Sequence, residues 1–151
     1  MFLDKDTFTT VLHSTPLVSL DLIVSNAEGK VLLGQRLNRP AQGYWFVPGG
    51  RIFKNEALAS AFSRLTQAEL GQEFSYSQAT LLGAYDHFYD DSVFGEGIST
   101  HYVALAHQFS VQQLVHLPTE QHHCYAWFEV EELLADDLVH PNTKAYFIKG
   151  P

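Results

Sequence analysis

The chain has 151 residues, 46% of them hydrophobic, and nine basic against seventeen acidic side chains give a formal net charge of −8. That length allows one core and leaves no room for a second module, while the acidic balance, unrelieved by any basic patch, argues against nucleic acid as a partner. No apolar run approaches the roughly 18 residues of a membrane span, and a single cysteine, Cys124, excludes an internal disulfide and a CxxC zinc site.

The first residues, MFLDKDTF, carry acids and no long apolar stretch, so no secretory signal is read there and a cytoplasmic location is expected. Phe2, Leu3 and Phe8 are isolated in a polar segment. Either a terminal helix turn docks Phe8 and Val11 onto the domain, or the rings lie on a flat partner. LVSLDLIV at 17–24 reads as a strand, Asn26 to Gly29 as its turn, and KVLLGQR as the second arm of a hairpin. Asp21 interrupts the first arm, facing solvent on an alternating strand or pointing into a site. Arg36 ends the second arm, before the loop NRPAQG and the aromatic strand YWFVP. An arginine there is placed to fork onto a phosphate or to remain a solvated surface residue.

The stretch 47–72, VPGGRIFKNEALASAFSRLTQAELGQ, combines a turn, a helix start, a helical face and a helix stop. Pro48, Gly49 and Gly50 break the preceding strand and let backbone approach a ligand closely. A helix is expected over 56–70, ended by Gly71, with Leu58, Phe62, Leu65 and Glu69 on one inward stripe. A carboxylate among apolar groups needs a cation or a proton. An arginine partner would satisfy Glu69, and so would Mg²⁺, which suits one carboxylate, backbone carbonyls and substrate phosphates. Arg36, Arg39, Arg51 and Arg64 cluster around this stretch, enough to neutralise a phosphorylated small molecule locally. Arg64 and Glu56 read as a structural pair or as a support for the metal.

Downstream, ATLLGAYDHFY and THYVALAHQFSV form a further strand pair around the loop DDSVFGEGIS. LPTEQHHCYAWF is a loop running into a strand, and EVEELLAD a second helix. Strands before and after a central helix, with another helix to follow, give an α/β fold: an α/β/α sandwich with a mixed central sheet in one domain. His13, His107, His116 and His140 read as surface residues. His87 and His101 lie beside aromatic strand ends, where a sugar or base contact is possible, and Tyr102 either donates to a phosphate oxygen or packs. Glu120, Gln121, His122 and His123 crowd one loop, which alone reads as solvated.

The spacing Gly50, Glu56, Arg64, Glu69, Gly71 resembles the Nudix hydrolase motif. Leu65 and Ala68 stand where ordinary members carry metal-binding glutamates, and Gln72 where they carry an aliphatic residue, which puts the usual phosphorus–oxygen cleavage in doubt. STPLVSLDLIV, NRPAQGYWFVPGGRI, HFYDD, THYV and LPTEQH extend the likeness, from Met1 to about Ile148, to the GDP-mannose mannosyl hydrolase branch. That resemblance implies the Nudix fold and hydrolysis of GDP-mannose or a related GDP-hexose at the anomeric carbon. It implies His122 as base, with Arg36, Tyr102 and Asp21 assisting. Phe2, Leu3, Phe8, Arg36, Arg51 and His87 would bind substrate. Gly49, Glu69 and Gln121 would hold one Mg²⁺, with Mn²⁺ a possible substitute, and the chain would form a homodimer.

Overall fold

The computed structural model describes residues 2–114, 117–118 and 122–148, with His122 and His123 described by backbone alone. In chain order the elements are α1 (Lys5–Ser14), β1 (Leu17–Ser25), β2 (Val31–Arg36), β3 (Trp45–Phe46), β4 (Gly49–Arg51), α2 (Leu58–Leu70), β5 (Thr80–Tyr89), β6 (Thr100–Ser110), β7 (His122–Phe128), α3 (Val130–Ala135) and α4 (Pro141–Lys144). Short 3-10 turns cover Tyr76–Gln78 and Ala145–Phe147. No helix among the described residues is long and apolar enough to cross a membrane.

The seven strands form one mixed sheet. β1 runs parallel to β6 along its whole length, and β5 pairs antiparallel to β6. β2 pairs antiparallel with β7. The hairpin partners β1 and β2 meet only at Ser25 and Val31, then diverge. Into the fork go β4, paired with β1, and β3, paired with β2. Side chains alternate along β1. Leu20, Leu22 and Val24 pack against Ala61, Phe62, Leu65 and Leu70 of α2. On the opposite face Ile23 joins Leu33, Val47, Ala106, Leu133, Val139 and Tyr146. Helical layers on both faces thus make the expected sandwich.

Several local expectations are corrected. α2 starts at Leu58, with Ala57 as N-cap, and stops at Gly71, whose φ of 74° supplies the left-handed cap. Leu58 is exposed, whereas Phe62, Leu65 and Glu69 are buried. By angle it lies in the buried arc, but it is the helix's first residue. The YWFVP strand is only two residues long, and the two glycines, with Arg51, form β4. Gly49 and Gly50 are needed for close approach: a Cβ on Gly49 would meet Leu20 O at 2.6 Å and Asp21 Oδ1 at 2.7 Å, and one on Gly50 would meet Leu65 Cδ2 at 2.6 Å. His107 is buried, with Tyr76 Oη and Leu105 O as partners. His140 caps α4 by accepting from the Asn142 N–H. His116 lies outside the described residues.

Candidate active site

A cavity of about 250 Å³ opens on the sheet face opposite α2. Strand register assembles it. Asp21 lies opposite Gly49 and Ser19 opposite Arg51, while His87 lies opposite Tyr102. Cross-strand partners share a face, so these six residues line one wall, with Arg36 and Tyr89 completing it. Asp21 therefore does not point to bulk solvent on a polar strand face.

Arg36 is the electrostatic centre. Its Nε donates to Pro40 O at 3.0 Å and more weakly to Asn38 O at 3.4 Å, anchoring the loop after β2. Its Nη groups have no hydrogen-bond partner among the described residues. Desolvation pushes the Asp21 carboxyl up to about 6, against a Tyr146 hydrogen bond and the Arg36 charge, which lower it. Desolvation likewise pushes Glu69 up to about 7. Arg36 and the Gly49 backbone N–H hold it down, and the charge of Asp21 raises it further. Burial drives His87 down to about 4, so its ring is neutral at physiological pH, and raises the Tyr102 hydroxyl.

Glu69 is 4% exposed and has no arginine in a salt bridge among the described residues. Leu22 N–H donates to Pro48 O and Ile52 N–H to Val18 O. Alternation along the strand then turns the N–H and C=O of Gly49 away from β1, the side where Glu69 lies. A buried carboxylate whose ionisation is disfavoured, beside an outward backbone carbonyl, fits a hard divalent cation. No group of three or more His, Cys, Asp or Glu side chains able to hold a metal forms among the described residues. Gln121, the third ligand expected, lies outside them.

The structure brings Asp21, Arg36, Gly49, Arg51, His87 and Tyr102 to one cavity. Phe8 and Leu12 of α1 line an adjoining cavity of about 260 Å³ that shares Arg36 and Tyr102. There the Phe8 ring lies 5.0 Å from the Arg51 guanidinium and edge-on to Phe94. Phe2, 96% exposed, and the half-buried Leu3 line neither cavity. His122 stands opposite Arg36 in the β2–β7 register, which puts its backbone beside the site. His101 turns away, stacking on Phe88 and contacting Asp86 Oδ1 at 3.3 Å. Sequence reasoning missed Ser19, Tyr89 and Tyr146. Ser19 was legible, two residues before Asp21 on the same strand face. Tyr146 carries no local motif.

The sequence matches the NUDIX domain over residues 15–148. The chain belongs to the Nudix hydrolase family. A curated relative of this Nudix hydrolase, the low-salt glycan biosynthesis protein Agl8 of Haloferax volcanii, is 46% identical over 107 residues. That match covers 70% of this chain and 66% of the relative, just under two thirds of its length. The MutT protein of Methanosarcina mazei superposes with a TM-score of 0.72 at 21% identity, covering 89% of this chain and 92% of the other. The MutT NUDIX hydrolase of Burkholderia pseudomallei gives 0.71 at 24% identity, covering 88% and 96%. At those identities the two structures bear on the fold alone, which is the mixed α/β Nudix fold.

Proposed function

We propose that this Nudix hydrolase cleaves a nucleoside diphosphate sugar, GDP-mannose or a related GDP-hexose, at the anomeric carbon, releasing GDP and the free sugar with inversion. The observation that carries this reading is α2 itself, whose only carboxylate is Glu69, buried beside Gly49 of the cavity wall. Leu65 packs into the core against Gly50, and Ala68 is exposed. One acid can anchor a single cation but leaves none to drive water onto phosphorus. Relatedness to a protein named for glycan biosynthesis supports a sugar-bearing substrate.

On this reading the water oxygen attacks the anomeric carbon while the bond from that carbon to the diphosphate oxygen breaks. The bonding pair leaves with GDP, and His122 takes the water's proton, a role open to histidine because an unperturbed imidazole titrates at about 6.5. The Nη groups of Arg36 donate to the departing diphosphate, joined by the Tyr102 hydroxyl and by Arg51. Asp21 and His87 accept hydrogen bonds from sugar hydroxyls. Phe8 offers its ring to the purine, and the exposed Phe2 and its neighbour Leu3 extend that surface between two copies of a homodimer. Mg²⁺, or Mn²⁺ in its place, held by the Gly49 carbonyl, Glu69 and Gln121, would supply charge neutralisation at the leaving group. Attack opposite the leaving group inverts the carbon, as in inverting glycoside hydrolysis.

Turnover of GDP-mannose in ¹⁸O-water tests this directly: the label is expected in the sugar and absent from GDP. Label in a phosphate would replace it with pyrophosphatase chemistry yielding GMP and a sugar phosphate. Binding without turnover would leave a nucleotide-sugar binder.

A further inference from the structure

Tyr146 belongs to the 3-10 turn near the chain end, 125 residues from Asp21, and reaches the wall of the cavity from behind. Its ring is buried, packed with Ile23, Leu33 and Val47 and edge-on to Tyr85 at 4.7 Å. Its hydroxyl lies 2.5 Å from Asp21 Oδ2 and 3.1 Å from His87 Nε2. Both partners line the cavity.

We propose that Tyr146 is a positioning residue: its hydroxyl donates to Asp21 Oδ2 and accepts from His87 Nε2–H, fixing His87 in one tautomer and presenting Asp21 Oδ1 and His87 Nδ1 as paired acceptors for sugar hydroxyls. The proton count gives the direction. A phenol has one proton, and a carboxylate has none to offer. If that proton goes to Asp21, the phenol oxygen can meet Nε2 only as an acceptor, so Nε2 carries the ring's proton. Nδ1 is then left as a lone-pair site, and it has no hydrogen-bond partner among the described residues. Asp21 Oδ1 is likewise unbonded among them and stands beside Gly49. Two fixed acceptors reject an occupant that cannot donate to both, because each unpaired acceptor keeps its desolvation cost. Selection among hexoses by hydroxyl orientation would then begin at this pair.

The assignment of these acceptors to a sugar rests on the proposed nucleotide-sugar hydrolysis, but the tautomer does not. The first measurement therefore needs no substrate: ¹H–¹⁵N correlation of the histidine rings in the wild-type chain, with His87 assigned by His87→Gln. The proton is expected on Nε2. A proton on Nδ1 would reverse the whole chain of bonds and overturn the proposal, whatever the enzyme's reaction. In Tyr146→Phe the His87 signals should become a mixture of tautomers. The rate on GDP-mannose should fall roughly 10- to 100-fold, the equivalent of one charge-assisted hydrogen bond, while inhibition by GDP moves less than about twofold. A variant that melts lower yet keeps the wild-type tautomer and rate would make Tyr146 merely structural. A wild-type chain with the Nε2 proton but no activity on nucleotide sugars would sink the functional reading and leave the positioning role standing.

Discussion

Two arginine and carboxylate constellations flank the same helix and behave oppositely. Within the 47–72 stretch Arg64 grips Glu56 with two bonds, Nε to Oε2 at 2.7 Å and Nη2 to Oε1 at 2.9 Å, and Nη2 also donates to Arg51 O. Phe53 N–H fills Oε1 further, and the Phe53 ring lies 3.9 Å from the guanidinium. Those bonds from Arg64 lower the pKa of Glu56. At the cavity, Arg36 spends its Nε on loop carbonyls while desolvation raises Asp21, and desolvation raises Glu69, beside Gly49 of the cavity wall, as well. A fastening satisfies its charges within the chain. A binding site leaves demand that only a ligand meets, the character the proposed reading gives to Arg36, Asp21 and Glu69.

The largest effect should follow from breaking the second constellation at its cation. Arg36→Gln is expected to lower kcat/KM on GDP-mannose by roughly 10²–10³, since charge grows on the leaving diphosphate as the bond breaks. Melting temperature should fall only modestly, because the change costs the fold the Nε bonds to the loop carbonyls while the Nη groups satisfy nothing in it. Unchanged kinetics together with a large loss of stability would place Arg36 with Arg64, among the fastenings.

Glu69→Gln sharpens the contrast through pH. A carboxyl that titrates near 4.5 when unfolded and about 7 when folded binds more protons in the folded state between those values. The stability it allows is full below the lower value and is lost as pH rises through the upper. His87 opposes this trend, since its folded pKa of about 4 lies below the ordinary 6.5, so the wild-type curve alone does not isolate Glu69. The difference between the two proteins does. Without metal, the variant should match the wild type near pH 4 and exceed it by up to about 3 kcal/mol above pH 7. Adding Mg²⁺ at pH 8 should raise the melting temperature of the wild type alone. A Mg²⁺ shift retained in the variant would move the cation elsewhere.

How much of this was legible in the sequence follows from how far each feature reaches along the chain. The hairpin, α2 with its Gly71 stop, and the strand pair after it are local patterns of period and punctuation, so they could be read directly. β4 could not, because three residues beginning with two glycines become a strand only through pairing with Ser19, Leu20 and Asp21. Arg36, Asp21, His87 and Tyr102 were named from strand ends and from the family resemblance, and register then explains why they meet. Tyr146 escaped because its partners lie 59 and 125 residues away and no spacing rule connects them. The burial of His107 came from the same cause: Tyr76, on a separate turn, supplies its partner.

The smallest effect belongs to the fastening, and its sign is the opposite of the one at Glu69. Glu56 has its folded pKa lowered, so the stability it contributes is present above its unfolded value and is lost as pH falls through the folded one. Arg64→Gln removes the fork and leaves a carboxylate only 15% exposed, with the Phe53 N–H as its remaining partner in the fold. The expected cost at pH 7 is about 1–3 kcal/mol, the penalty for leaving such a group short of its bonds, read as a lower urea midpoint with unchanged slope. Acidification to pH 3, which protonates Glu56 in the variant, should shrink the gap between variant and wild type. Substrate affinity should follow the fold and not the charge: near neutral pH, and well below the variant's melting temperature, KM should stay within about twofold of wild type, because Arg64 binds Arg51 through its carbonyl and leaves that side chain to the cavity. A KM that rose tenfold while stability held would show that the two constellations are one.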